Sequence, residues 1–206
     1  MISPDDGFYT ELKQNFVQAA KRLGFYRVLF DPVELMSSCG IHVLPYLGAM
    51  DPWDLSNREL VCKCPSGISF TLERDGQPDV RFAAYNNCEP SGRIRFTAAH
   101  EAAHCFLGHK EESEVAELQA NFWGGFAVAP PVIVHELGMT SPQDIANTFG
   151  LSQSCSRNVW KRYLAWQKYR NNDRAIDDSL LELYTESLWL QPAPQAQSQD
   201  DVLNMF

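Results

Sequence analysis

The sequence predicts an α+β fold. Three observations carry that class. Helical patterns open the chain, short strand-like runs gather between residues 41 and 85, and from Ile94 onward the apolar spacing is again helical. From Pro4 to Leu23, apolar residues recur at Phe8, Leu12, Phe16, Ala19 and Leu23, a helical period that Gly24 stops. Asp31-Pro32-Val33-Glu34 starts a second helix with a capping box and a proline in its first turn, and Gly40 ends it. Ile41 to Tyr46 has strand character. Ile68 to Leu72 and Val80 to Tyr85 are two further strands, joined around the turn signal Asp75-Gly76. The expected sheet is small, three-stranded, and antiparallel or mixed.

Composition narrows the functional classes. The chain has 206 residues and 45% apolar residues, enough for a real core. Its net charge of −9 opposes general binding to nucleic acid or to anionic membranes. No apolar run approaches the ~18 residues of a membrane span. The start, MISPDDGFYTEL, has neither the basic nor the apolar region of a secretory signal. Six cysteines are present, and in a chain of this size without such a signal they are expected to be reduced thiols in the cytoplasm. Cys62-Lys63-Cys64 has no second pair at zinc-site spacing and is taken as two strand-end thiols.

Charge is unevenly spread. Residues 141–174 carry six basic and two acidic groups, while residues 175–206 carry six acidic groups and no basic ones. The block from Ser141 therefore differs from its neighbours. Ser141-Pro142-Gln143-Asp144 starts a helix, and Ile145 to Ser152 resembles the first helix and turn of a helix-turn-helix (HTH). Val159, Trp160 and Tyr163 would pack its second helix. The local positive charge would suit a phosphate backbone, but the overall charge opposes it, so packing or partner docking is the favoured role. The tail, with QPAPQAQSQ at 191–199, has no apolar period and is expected to be disordered.

The chemistry concentrates between Arg93 and Pro130, in RIRFTAAHEAAHCFLGHKEESEVAELQANFWGGFAVAP. His100-Glu101-Ala102-Ala103-His104 is an H-E-x-x-H motif. Positions i and i+4 of a helix lie one above the other, so both imidazoles reach one metal ion. Glu101 follows the first ligand directly and can act as general base toward water. From the residue frequencies, the chance expectation for this motif in the chain is roughly 0.007, so the match is informative.

A catalytic zinc site needs a third protein ligand. A glycine three residues and a histidine six residues beyond the motif would supply one histidine-rich solution, but Leu107 and Lys110 stand there. Gly108 and His109 are each displaced by one, and His109 is taken as a helix-end residue facing the negative end of the dipole. The other solution is a carboxylate on the next helix, from Glu112, Glu114 or Glu117. Glu117 shares a face with Ala120, Asn121 and Gly124, small residues that let two helices approach closely. Glu117 is therefore the expected third ligand, with Glu114, one turn earlier, as the alternative.

These residues resemble the ImmA/IrrE family of metallopeptidases. The resemblance runs from a strand ending in Tyr85-Asn86, through Arg93-Ile94-Arg95-Phe96-Thr97 into His100-Glu101-Ala102-Ala103-His104. It continues through Glu117-Leu118-Gln119-Ala120-Asn121 and closes at Pro130. Trp123-Gly124 and Ala127-Val128-Ala129 depart from the family's usual Phe-Ala and Leu-Leu-Met without touching a ligand position. The resemblance implies a zincin-like pair of helices and His100, His104 and Glu117 as metal ligands. The expected organisation is an N-terminal helix (1–30), a zincin-like metallopeptidase core (31–140), a helical HTH-like unit (141–190) and a disordered tail (191–206).

Zinc suits a His-His-Glu set, with manganese or iron as alternatives. The implied function is a metal-dependent endopeptidase with Glu101 as the catalytic residue. By resemblance its substrate is a partner HTH repressor encoded nearby, on a mobile element or in a stress-response operon, whose cleavage relieves repression. The competing class is a non-catalytic, toxin-like module that keeps the metal and acts by binding. Glu101 separates the two, because a binding module has no need of a base beside its ligands. His135 and Tyr85 are the candidates for a second electrophile, without support from spacing.

Overall fold

A computed structural model describes residues 6–46 and 62–189 of the chain. Within them the architecture is α+β: eight helices and one three-stranded mixed sheet. The chain opens with α1 (Asp6–Leu23) and α2 (Pro32–Ser38), followed by β1 (His42–Pro45), β2 (Gly67–Leu72) and β3 (Val80–Tyr85). Then come α3 (Ser91–Leu107), α4 (Glu114–Val128), the short α5 (Pro131–Glu136), α6 (Pro142–Phe149), α7 (Gln153–Tyr169) and, after one 3₁₀ turn, α8 (Arg174–Trp189). The expected tail at 191–206 lies outside the described residues.

Local chemistry sets the element ends. Asp31 caps α2 by accepting from the Val33 amide at 2.9 Å. Ser113, Ser141 and Ser152 cap α4, α6 and α7 in the same way. The β2–β3 connection turns at Gly76, which has a φ of +67°, a conformation glycine adopts without strain. The strand order is β1-β3-β2, with β1 parallel and β2 antiparallel to β3. His42, Phe82 and Phe70 stack across all three strands, with ring centroids 5.0 Å apart at each step. β2 is thus an edge strand.

One contiguous buried cluster joins α1 through Phe16 and Ala20, α3 through its alanines, α4 through Trp123 and Phe126, and α8 through Leu180. Phe16 sits at its centre, in edge-to-face contact with Tyr26, Phe30, Trp123 and Phe126. Two large aromatic side chains of this core pair their polar groups. Tyr26 donates its hydroxyl to the Ala127 carbonyl at 3.1 Å, and the Trp123 indole donates to Asn15 at 2.9 Å. The helices from Ser141 onward share this core. Arg95 on α3 donates to the carbonyls of Phe149 and Gly150, and a side chain at Gly92 would lie 2.7 Å from the Gly150 carbonyl oxygen.

The tightest crossing is that of α3 and α4. A Cβ added to Gly124 would lie 3.0 Å from the His100 backbone nitrogen and 3.2 Å from the Ala99 carbonyl carbon. Ala99, Ala102, Ala103 and Ala120 are all fully buried. The small-residue face expected from Ala120 and Gly124 is therefore where the two helices meet. Backbone cannot yield as the end of a flexible side chain can, so Gly124→Ala is expected to destabilise the fold by about 1–3 kcal/mol. That outweighs the ~1 kcal/mol alanine gains over glycine in an open helix. Denaturant unfolding of the variant beside wild type checks the sign.

Candidate metal centre and groove

α3 presents His100 and His104 one turn apart, and the close crossing with α4 brings Glu117 over them. The Nε2 atoms of the two histidines lie 3.0 Å apart. Glu117 Oε2 is 3.5 Å from His100 Nε2, and Glu117 Oε1 is 3.3 Å from His104 Nε2. Together these residues form a possible metal-binding triad. Glu114 is not one of the residues that line the groove around the triad, whereas Glu117 is. The first turn of α4 also suits a carboxylate, since its positive dipole end lies there.

Charge decides what this cluster can hold. Burial pushes the His100 pKa down, and burial together with the neighbouring His100 pushes that of His104 down to about 4. Both rings are therefore neutral near pH 7, so they form no ion pairs with Glu117. Three lone-pair donors converge instead. A tetrahedral ion with ~2.1 Å bonds separates its ligand atoms by about 3.4 Å; here the two ring nitrogens are 3.0 Å apart and each lies 3.3 or 3.5 Å from one of the two Glu117 oxygens. The donor set and its spacing thus fit a divalent cation, and His100, His104 and Glu117 would hold it.

Neighbouring side chains orient the ligands. His104 Nδ1 lies 2.9 Å from His109 Nδ1, and His109 Nε2 lies 2.9 Å from Gln119 Oε1. The Gln119 oxygen accepts only, so His109 carries its proton on Nε2 and accepts on Nδ1. His104 then donates from Nδ1, which leaves its Nε2 lone pair for the ion. His109 does stand just past the end of α3, as its spacing implied, but its ring works on His104. Asn121, one turn beyond Glu117, interacts with the His100 ring, while His100 Nδ1 itself is buried without a hydrogen-bond partner.

Glu101 lines the same groove beside the triad, under the start of β2. It is only 7% exposed. Burial raises its pKa to about 7, the Ser69 side chain pulls it partway back by hydrogen bonding, and the charge of Glu117 adds to the rise. Gly67 makes the room: a Cβ there would lie 3.0 Å from Glu101 Oε1 and 2.7 Å from Thr97 Cγ2. The other two candidates named from sequence do not join the site. His135 on α5 lies 3.2 Å from the Tyr163 hydroxyl and packs on Trp166, and neither it nor Tyr85 lines the groove.

The triad opens into a groove of about 1220 Å³. One wall is the β2 edge from Ser66 to Ser69, and the opposite wall is the face of α7 carrying Cys155, Asn158, Val159 and Arg162. α7, expected from the sequence as the second helix of an HTH-like unit, thus turns this face toward the groove. All six cysteines are free thiols, with Cys105 buried. Among the described residues, no helix is long and apolar enough to cross a membrane. No protein-family model, no curated protein and no solved structure matches the chain.

Two outcomes follow for metal binding. His100→Ala, His104→Ala and Glu117→Gln should each lose most bound zinc by elemental analysis, while Glu114→Gln keeps it. His109→Phe removes the acceptor for His104, and loss of such a partner typically costs about 10–100-fold in metal affinity. A competition titration against a chromophoric chelator measures that change.

Proposed function

We propose that the chain is a metal-dependent endopeptidase, with His100, His104 and Glu117 as metal ligands and Glu101 as the general base. One observation carries the reading: a sequestered carboxylate lies beside a three-ligand cluster at the floor of an open groove, along a strand edge that pairs with no other strand among the described residues. An extended peptide can add to such an edge through its own backbone groups. A zinc ion held by the triad would supply Lewis-acid polarisation of the peptide carbonyl.

The chain's own residues do the rest. The β2 edge holds the peptide extended across the triad. Glu101 takes a proton from the attacking water and passes it to the leaving amine as the C–N bond breaks. Ser69 and the close approach of Gly67 fix that carboxylate in place. His109 and Gln119 hold His104 in the ligating tautomer.

The substrate class rests on the resemblance to the ImmA/IrrE family: a cytoplasmic partner repressor with an HTH domain, whose cleavage relieves repression. The second reading, a metal-binding module that acts by docking alone, uses the same groove and triad. The buried Glu101 favours the first, because sequestering a carboxylate costs stability that docking does not require.

Glu101→Gln tests the choice between them. Glu101 is not a ligand, so metal content should remain at the wild-type level. Cleavage of the partner, co-expressed and followed by mass spectrometry, should fall by about 10²–10⁴ in rate. Partner capture should persist. Wild-type cleavage by the variant would overturn the catalytic reading, and wild-type biological effect without any cleavage would establish the docking one.

A further inference from the structure

Arg162 stands in the wall of the groove as a cation without a counter-ion among the described residues. It stands on α7, in line with Cys155, Asn158 and Val159 at helical spacing, and these four residues face the groove together. Its Nη1 is shut off from solvent and has no hydrogen-bond partner. Among the described residues, no carboxylate lies within ion-pair distance of it. The guanidinium rests over the Phe122 ring at 4.8 Å. It occupies a bay that exists because residue 125 is glycine: a Cβ there would lie 2.6 Å from Nη1. Burial lowers the Arg162 pKa to about 10, so the group is still fully charged near pH 7.

A guanidinium whose Nη1 is shut off from water and unpaired is costly to keep, and replacing it with an apolar side chain of similar size would ordinarily not weaken a fold. A planar fork of donors matches a carboxylate. We propose that Arg162, seated between Phe122 and Gly125, is a specificity subsite that takes a carboxylate of the bound peptide. The inference rests on the reading of the groove as a peptide site and names a feature of what binds there.

The register follows from α4. Gly125 lies eight residues beyond Glu117, about 12 Å along the helix axis. An extended peptide advances roughly 3.3 Å per residue, so the carboxylate belongs about three to four residues from the bond over the triad. The field along the groove agrees with this polarity. Lys110, Glu111 and Glu112 line its other end, before the start of α4; Lys110 is paired with Glu73, so the two glutamates leave that end acidic and repel an acid placed there.

Peptide selection tests the subsite without requiring turnover. Random dodecapeptides are selected on zinc-treated Glu101→Gln protein and on the same protein carrying Arg162→Met. One library is displayed with its C-termini fused and the other with free C-termini. Acidic residues should be enriched at one fixed position in the fused library if a side chain fills the subsite. Enrichment confined to the free-ended library assigns it to a terminal carboxylate. With Arg162→Met the preference disappears, and a selected peptide loses about 10–100-fold in affinity by fluorescence polarisation. Arg162→Lys, which keeps the charge but not the fork, retains the preference in weakened form and decides the matter if the Met variant does not fold by circular dichroism.

Absence of acidic enrichment, absence of binders, or an unchanged preference in a folded Arg162→Met protein would overturn the proposal. Failure of the peptidase reading would show differently, as missing cleavage by the wild-type chain with the Arg162-dependent binding intact.

Discussion

The near-contact of the α3 and α4 backbones is the constraint on which the site depends. At Gly124 the two helices approach so closely that one methyl group would meet the His100 amide nitrogen. That approach sets the height of Glu117 above the two imidazoles. The alanines at 99, 102, 103 and 120 line the same crossing. They contribute little apolar area for their number, so the stability of the pair comes from neighbours on the outer faces. Phe16 from α1, Trp123 and Phe126 from α4, and Leu180 from α8 supply it. The core is built around a thin, small-residue seam, and the seam carries the chemistry.

Much of this was legible in the sequence. The H-E-x-x-H spacing places both histidines on one helix face, and Glu117 was the expected third ligand because it shares its face with Ala120 and Gly124, with Glu114 one turn earlier on that face as the alternative. Those positions matter through local periodicity, which one sequence displays. The strands at 68–72 and 80–85 and the turn at Asp75-Gly76 were legible for the same reason. Less visible were features that depend on distant elements. The parallel pairing of β1 with β3 has no local signature. His135 and Tyr85 carried suitable chemistry, but the fold turns both away from the groove. His109 was placed at a helix end by its neighbours, yet its partner Gln119 lies ten residues on, in the next helix. Arg162 appeared only as part of a basic block. Its desolvation comes from Phe122 and Gly125, across the molecule.

The two walls of the groove have different physical characters. The β2 edge, which pairs with no other strand among the described residues, offers backbone groups, and backbone groups discriminate little between partners. The α7 wall offers side chains, above all a desolvated guanidinium, which discriminate strongly. α7 thereby faces the groove, and the chain as a whole carries an acidic net charge. In the proposed reading, affinity comes from one wall and selectivity from the other.

In the proposed reading, three neutral or anionic donors on α3 and α4 hold one divalent cation. The most direct measurement is anomalous diffraction at the zinc edge from crystals grown with zinc. The account predicts one dominant peak, about 2.0–2.2 Å from His100 Nε2, His104 Nε2 and a Glu117 carboxylate oxygen. A peak located at Cys62 and Cys64, or a triad left empty at saturating zinc, would contradict it.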